Sequence, residues 1–321
     1  MTSWNDYEAF YLSKQRCLVL GGSGFIGTNL CKALVSRVGS LKYFSRSPID
    51  LEGVEWKKGD FLNNDDLNRA VCDVDVVFHL ISTSTPASSN ANPSRDAQEN
   101  VLQTIALLEA CRVAQVKKVI FVSSGGTVYG DANVLPTPEG AYEQPICAYG
   151  VSKLAIEKYL YLYEKLHGLR TIVLRLSNPY GPFQYARNNQ GVIGAFIIKS
   201  LKGESIEVWG DGSVVRDYVF ISDVTDALIK AASYQGPHRV FNVGSGCGTS
   251  VKGIVDELRD QNIINFDVTY KEGRGIDVSK SILDCSLAKS ELAWEAAYDL
   301  KSGIYETFTW FKNSVDIFSK K

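Results

Sequence analysis

Short apolar runs alternate along the first half of the chain with segments whose apolar positions recur every three to four residues. Residues 17–20 form one run that ends at glycines, and a helical pattern follows through Asn29, Leu30, Ala33 and Leu34. Residues 41–44 and 74–80 read as strands, 101–114 as a helix, 118–122 as a wholly apolar strand, 154–166 as a helix and 171–176 as a strand. Continuous apolar strands are buried on both faces, as parallel strands between helical layers are. Strands alternating with helices therefore predict a doubly wound parallel α/β sheet with right-handed crossovers.

The texture changes after Asn178. NPYGPFQ and ARNNQG are rich in turn formers, and the later segments are shorter, with a strand at 206–209 and returns at 218–221 and 240–243. We place a boundary there, giving units 15–178 and 179–321. The second is a smaller mixed α/β unit that covers the carboxyl edge of the sheet, where such folds bind ligands. Residues 1–14 read as a leader outside both. The rough helical spacing of Trp4, Tyr7, Phe10 and Tyr11 leaves open a short surface helix or free chain.

Composition narrows the class. With 45% hydrophobic and 22% charged residues over 321 positions, the chain is neither disordered nor fibrous. A net charge of -2 argues against a nucleic-acid groove. No apolar stretch has the length of a membrane span or a signal-peptide core, so neither is expected. The seven cysteines show no CxxC spacing and no histidine cluster, so no metal site is expected and the thiols read as reduced, in a cytoplasmic protein.

LVLGGSGFIGTNL is the first chemical signal. Gly21, Gly24 and Gly27 follow a strand and open a helix, the arrangement in which main-chain N–H groups and the helix N-terminus receive a pyrophosphate. A tight turn without function is the alternative. In this Rossmann-type frame an acidic residue normally ends the second strand, but Ser45 and Arg46 stand there. Arg46 reads as a partner for a 2′-phosphate, as a stack on adenine, or as a solvated side chain, so NAD and NADP both stay open. Asp60, past the third strand, is placed to accept from the adenine amino group.

Tyr149 and Lys153 are four apart and share one helix face. An ammonium near a phenol favours the phenolate, so Tyr149 would take a hydroxyl proton while the same carbon loses hydride. A packed ring and a surface charge would show the same spacing. Between this pair and the glycines lies Ser123–Ser124–Gly125–Gly126–Thr127–Val128–Tyr129, whose hydroxyls and N–H groups fall at the carboxyl end of a central strand. It faces a ligand or is a turn with local Ser/Thr bonds.

Taken in order, GGSGFIG, GDF, VVFHL, SSGGTVYG, YGVSK, RLSNPYGP, EVWGDGSVVRDYVFISDV, FNVGSG and GRGID…ELAW resemble the extended short-chain dehydrogenase/reductase family, in its nucleotide-sugar epimerase and dehydratase group. The resemblance spans about residues 16–312 and implies roles for individual positions. Gly21, Gly24 and Gly27 would cradle the coenzyme, with Phe25 and Ile26 at the same turn. Asp60 and Phe61 would touch adenine, Leu80 and Ser82 would lie along the coenzyme, and Asn100 near its ribose. Tyr149 would be the acid/base and Lys153 its partner. Asn178, Arg216 and Arg274 would hold a sugar-nucleotide diphosphate, Asp277 the nucleotide ribose, and Gln190, Val192 and Trp209 the base. The family's catalytic hydroxyl position is Gly125 here, which leaves Ser124 or Thr127 to replace it. The dehydratases' acidic pair is Gly126 and Thr127, which argues against elimination of water. The resemblance thus implies a 4-epimerase of a UDP- or TDP-sugar, glucose/galactose or N-acetyl forms, with bound NAD and a homodimer paired through helices 101–114 and 154–166. A reductase of a nucleotide-linked 4-keto sugar is the alternative, and a coenzyme-binding protein without turnover a third reading.

Overall fold

The computed structural model describes residues 4–185, 191–263, 268–272 and 278–314. In chain order the strands are β1 Arg16–Leu20, β2 Ser40–Ser45, β3 Glu55–Lys58, β4 Val76–His79, β5 Lys118–Ser124, β6 Arg170–Leu176, β7 Asn178–Tyr180, β8 Ile206–Trp209, β9 Val215–Phe220, β10 Val240–Val243, β11 Gly248–Ser250, β12 Val268–Lys271 and β13 Lys280–Ser281. Seven of them form one parallel sheet in the order β10-β6-β5-β4-β1-β2-β3.

The alternation of side chains along a strand explains the unbroken apolar runs. Cys17, Val19, Val76, Phe78 and Ile120 enter the core on one face; Leu18, Leu20, Val77, Val119 and Phe121 enter the core on the other. The first face is covered by the helices Phe25–Leu34 and Ile221–Ser233, through Leu30, Leu34, Val224 and Leu228. The second is covered by Gln103–Val113 and Ala148–His167, through Leu107, Leu108, Ile156 and Leu160.

Several elements differ from the expected ones. The helix expected at 154–166 starts earlier, at Ala148, behind an extended Cys147. The helix expected at 101–114 is preceded by Pro93–Asp96 and a π-helical turn, Ala97–Leu102. Such turns recur at functional sites. β3 is a polar edge strand that among the described residues pairs with β2 alone, so no apolar run announced it. β10 lies past residue 178 yet hydrogen-bonds β6 as the seventh strand, and the unexpected helix Ile221–Ser233 packs beside Phe25–Leu34.

The remaining strands cover the carboxyl edge. β9 is central, flanked by antiparallel β11 and parallel β13, and it also pairs with β7; β8 and β12 form a separate parallel pair. The leader contains the helix Trp4–Leu12, seated through the buried Leu12. Among the described residues no helix is long and apolar enough to cross a membrane.

Candidate active site

The turn after β1 is built for close approach. Gly21 has φ +85°, in the left-handed region, and its N–H donates to the Phe44 carbonyl at 3.0 Å, tying the ends of β1 and β2. A Cβ on Gly27 would lie 2.1 Å from the Gly21 oxygen, so only glycine fits there. The helix Phe25–Leu34 opens at Gly24 without a side-chain cap, leaving its first N–H groups and its positive end facing outward.

A cleft of about 430 Å³ lies in front of this turn. Gly21, Gly24, Arg46, Asp60, Phe61, Leu80 and Ser82 all line it. Phe25 and Ile26 instead pack toward the core, and Gly27 is buried. The Asp60 carboxylate accepts from Leu62 N–H at 3.0 Å. The Ser45 hydroxyl turns back to Ser47 O at 2.6 Å, while Arg46 is exposed. A glycine cradle, an uncapped helix end and a cleft of this size fit a dinucleotide.

Tyr149 stands in the first turn of its helix, with its N–H held by Ser89 Oγ at 2.9 Å. Gly150 brings that turn against the serine-rich loop, since a Cβ there would lie 2.6 Å from the Thr127 carbonyl oxygen. Lys153 is buried. Its Nζ donates to Val122 O at 2.9 Å and lies 4.6 Å from the Phe121 ring centre and 5.5 Å from that of Tyr149. Burial pushes the Tyr149 phenol up to about 12, and the Ser82 hydroxyl pulls the other way. Burial lowers Lys153 to about 8, against the opposing pull of Glu157 and Asp96. Within the polypeptide, burial outweighs the expected lowering of the phenol by the ammonium.

The serine-rich loop follows β5 directly. Ser124 precedes the one-turn helix Gly125–Val128, caps nothing with its side chain, and has a hydroxyl without a partner among the described residues. Thr127 Oγ1 makes a long 3.5 Å bond to Ser124 O. Gly125 sits against Leu283, and a Cβ there would lie 2.6 Å from Leu283 Cδ1.

Past β6, Asn178 Nδ2 donates to Asp217 O at 3.2 Å and Arg216 Nη1 to Val215 O at 2.9 Å, and neither residue lines the cleft. Val192 opens the helix Val192–Leu201, and Trp209 is half exposed at the end of β8. Gln190, Arg274 and Asp277 lie outside the described residues.

Buried polar residues, most of them given no role by the sequence, hold this arrangement. Asp217 is fully buried and its carboxylate accepts from Ser245, Gly246 and Leu283, joining β9 to the segment beneath Gly125. Arg175 pairs with Glu157 and Glu143 and donates to the Tyr129 hydroxyl, while Ser123 donates to Glu157 at 2.5 Å. Asn100 does not line the cleft. Its amide donates to Asp96 and accepts from Thr83 N–H at 3.0 Å, fixing the loop after β4. Only the spacing of four between Asp96 and Asn100 hinted at that link.

A glycine turn at the carboxyl edge of a parallel sheet, with a tyrosine and a lysine on the next helix, defines an extended short-chain dehydrogenase/reductase. The chain belongs to the NAD dependent epimerase/dehydratase family, which matches residues 17–244. Along its length it is 34% identical to UDP-glucose 4-epimerase of Mycolicibacterium smegmatis, covering 93% of this chain and 99% of that one. It is also 34% identical to dTDP-4-dehydro-6-deoxyglucose reductase of Escherichia coli, over 91% of this chain and 96% of the relative. The crystal structure of UDP-glucose 4-epimerase from Thermotoga maritima with UDP-glucose superposes with a TM-score of 0.89 at 34% identity, covering 94% and 99% of the two chains.

Proposed function

We propose that the protein is a nucleotide-sugar 4-epimerase that interconverts UDP-glucose and UDP-galactose, or their N-acetyl forms, and holds NAD in the glycine cleft. The observation that carries this reading is the Tyr149–Lys153 helix, packed on the catalytic loop beside a dinucleotide cleft, in a chain that matches a UDP-glucose 4-epimerase end to end.

Gly21, Gly24 and the free end of helix Phe25–Leu34 hold the pyrophosphate, with Asp60 and Phe61 at the adenine end. Bound NAD supplies the acceptor, and then the donor, for the hydrogen at C4. Tyr149 exchanges a proton with the C4 hydroxyl through its phenol oxygen, and Lys153 stabilises the phenolate. The Ser124 hydroxyl donates to the same sugar oxygen, in place of the side chain that Gly125 lacks. Asn178, Arg216 and Arg274 hold the diphosphate, while Gln190, Val192, Trp209 and Asp277 surround the nucleoside. A firm grip on the diphosphate beside a permissive sugar pocket lets the 4-keto sugar turn and present its other face. The coenzyme half is residues 15–178 and the sugar-nucleotide half 179–321, with β10 and helix Ile221–Ser233 returning to the first.

Incubation with UDP-galactose, UDP-glucose and their N-acetyl forms, without added reductant, tests this by NMR. Interconversion is expected. Reduction of a 4-keto sugar nucleotide by NADPH, with no interconversion, would instead establish the reductase reading, which the exposed Arg46 at the cleft mouth favours.

The homodimer is part of the same proposal. Val151, Leu162 and Leu166 form one exposed apolar stripe on helix Ala148–His167, and Leu102 and Val113 are exposed on the neighbouring helical segment. Sedimentation is expected to give twice the chain mass. The free thiols of all seven cysteines suit a reducing, cytoplasmic setting.

A further inference from the structure

We infer that Asp96 is a positioning residue of this reaction: its buried carboxylate ties the Tyr149–Lys153 turn to the coenzyme-side loop and supplies the negative charge that the pair faces. The inference rests on the reading of Tyr149 and Lys153 as the proton-transfer pair.

Asp96 is 2% exposed, at the end of the helix Pro93–Asp96 and just before the π-helical turn. Ser152 Oγ, next to Lys153 in sequence, donates to its Oδ2 at 2.5 Å. Ser84 Oγ donates to Oδ1, and so does Asn100 Nδ2 at 3.1 Å. One carboxylate thus joins the catalytic helix to the loop that carries Ser82 and Thr83 into the cleft. Among the described residues no cation stands within ion-pair distance of Asp96. Three side-chain donors satisfy its oxygens, and its charge couples to the Lys153 ammonium without a direct ion pair.

The other groups around the pair are accounted for. Glu157, one turn further on the same helix, is paired with Arg175. His79 of β4 is held neutral by burial. Phe121 of β5 meets Lys153 with a ring, Ser82 meets Tyr149 with a hydroxyl, and Cys147 is the extended residue just before the Tyr149 helix. Asp96 acts on both members in one direction, favouring the ammonium of Lys153 and disfavouring the phenolate of Tyr149. Removing its charge must therefore let both groups lose their protons at lower pH.

The test uses the full chain and three variants: Asp96→Asn and Asp96→Ser, which keep a polar group without charge, and Ser152→Ala, which breaks one bond and keeps the charge. Two quantities are followed, the titration of Lys153 by NMR of isotope-labelled lysine and the pH profile of kcat for sugar interconversion. Both neutral variants are expected to lower the Lys153 titration by roughly one pH unit and to move both limbs of the profile to lower pH. Ser152→Ala is expected to change kcat without moving either. The inference is overturned if the neutral variants titrate as the native protein does, or if Ser152→Ala shifts the titration as far as they do. If no sugar is interconverted while the neutral variants still shift Lys153, the charge inference stands and the epimerase reading falls.

Discussion

Leu283 occupies the space that a side chain on Gly125 would need: a Cβ there would meet Leu283 Cδ1 at 2.6 Å. Packing at Gly125 thus comes from a segment more than 150 residues away, and Leu283 is itself held by the N–H bond it donates to Asp217. Restoring a hydroxyl by Gly125→Ser should destabilise the protein by about 1–3 kcal/mol through overpacking. In Gly125→Ser/Leu283→Ala the combined loss should be smaller than the sum of the two single losses. Urea midpoints check this, and a Gly125→Ser protein as stable as the native one would refute the packing account.

Gly27→Ala should abolish coenzyme binding. The added carbon would stand 2.1 Å from the Gly21 oxygen, so the turn must open and lose the alignment of its N–H groups. The expected result is protein that folds but no longer binds NAD, measured by calorimetry against the native chain. Retained affinity would show that the turn is not the pyrophosphate cradle.

Tyr149→Phe should leave the fold intact and cut kcat by roughly 10²–10⁴-fold, the usual worth of a positioned acid/base. Steady-state assays with UDP-galactose measure it. A loss under tenfold would move the proton transfer to another group, with the unpartnered Ser124 hydroxyl the first candidate.

His79 gives stability a pH dependence of its own. Its ring lies between Phe61 and Phe121, Nε2 meets Thr104 Oγ1 at 3.0 Å, and Nδ1 is buried without a partner. Burial lowers it to about 3. The unfolded chain protonates this histidine near pH ~6.5 and the folded chain does not, so unfolding takes up a proton below that pH. Its contribution is fully present above the unfolded value and falls as the pH drops from there toward the folded one, by about 2 kcal/mol between pH 7 and 5. Denaturation curves of the native protein and of His79→Phe should differ by this slope. Parallel pH dependences would contradict it.

Arg46 decides the coenzyme if it acts at all. It is exposed at the cleft, without a partner among the described residues, where a carboxylate would otherwise receive the ribose 2′-hydroxyl. Arg46→Asp should shift the NADP-to-NAD affinity ratio toward NAD by ~10–100-fold, the worth of a charge-assisted contact. An unchanged ratio would leave Arg46 as a solvated side chain.

Much of this molecule was legible in the order of its residues. Local physics carries the doubly wound sheet: β1, β4, β5 and β6 are apolar runs because both of their faces are buried, and no other environment selects such runs between helices. The glycine turn and the Tyr149–Lys153 spacing were readable for the same reason, since each is a constraint within a few residues of chain. Only the tertiary structure decided the rest. β3 exists because β2 offers it an edge, and β10, expected as a strand at 240–243, joins β6 only because the fold brings it back to the sheet. Asp96, Asp217 and Arg175 look like surface charges in the sequence, and contacts from distant segments bury them and give them partners. Leu283 reaches Gly125 for the same reason: contact across a fold depends on where separate elements pack, and that is settled by the whole chain at once.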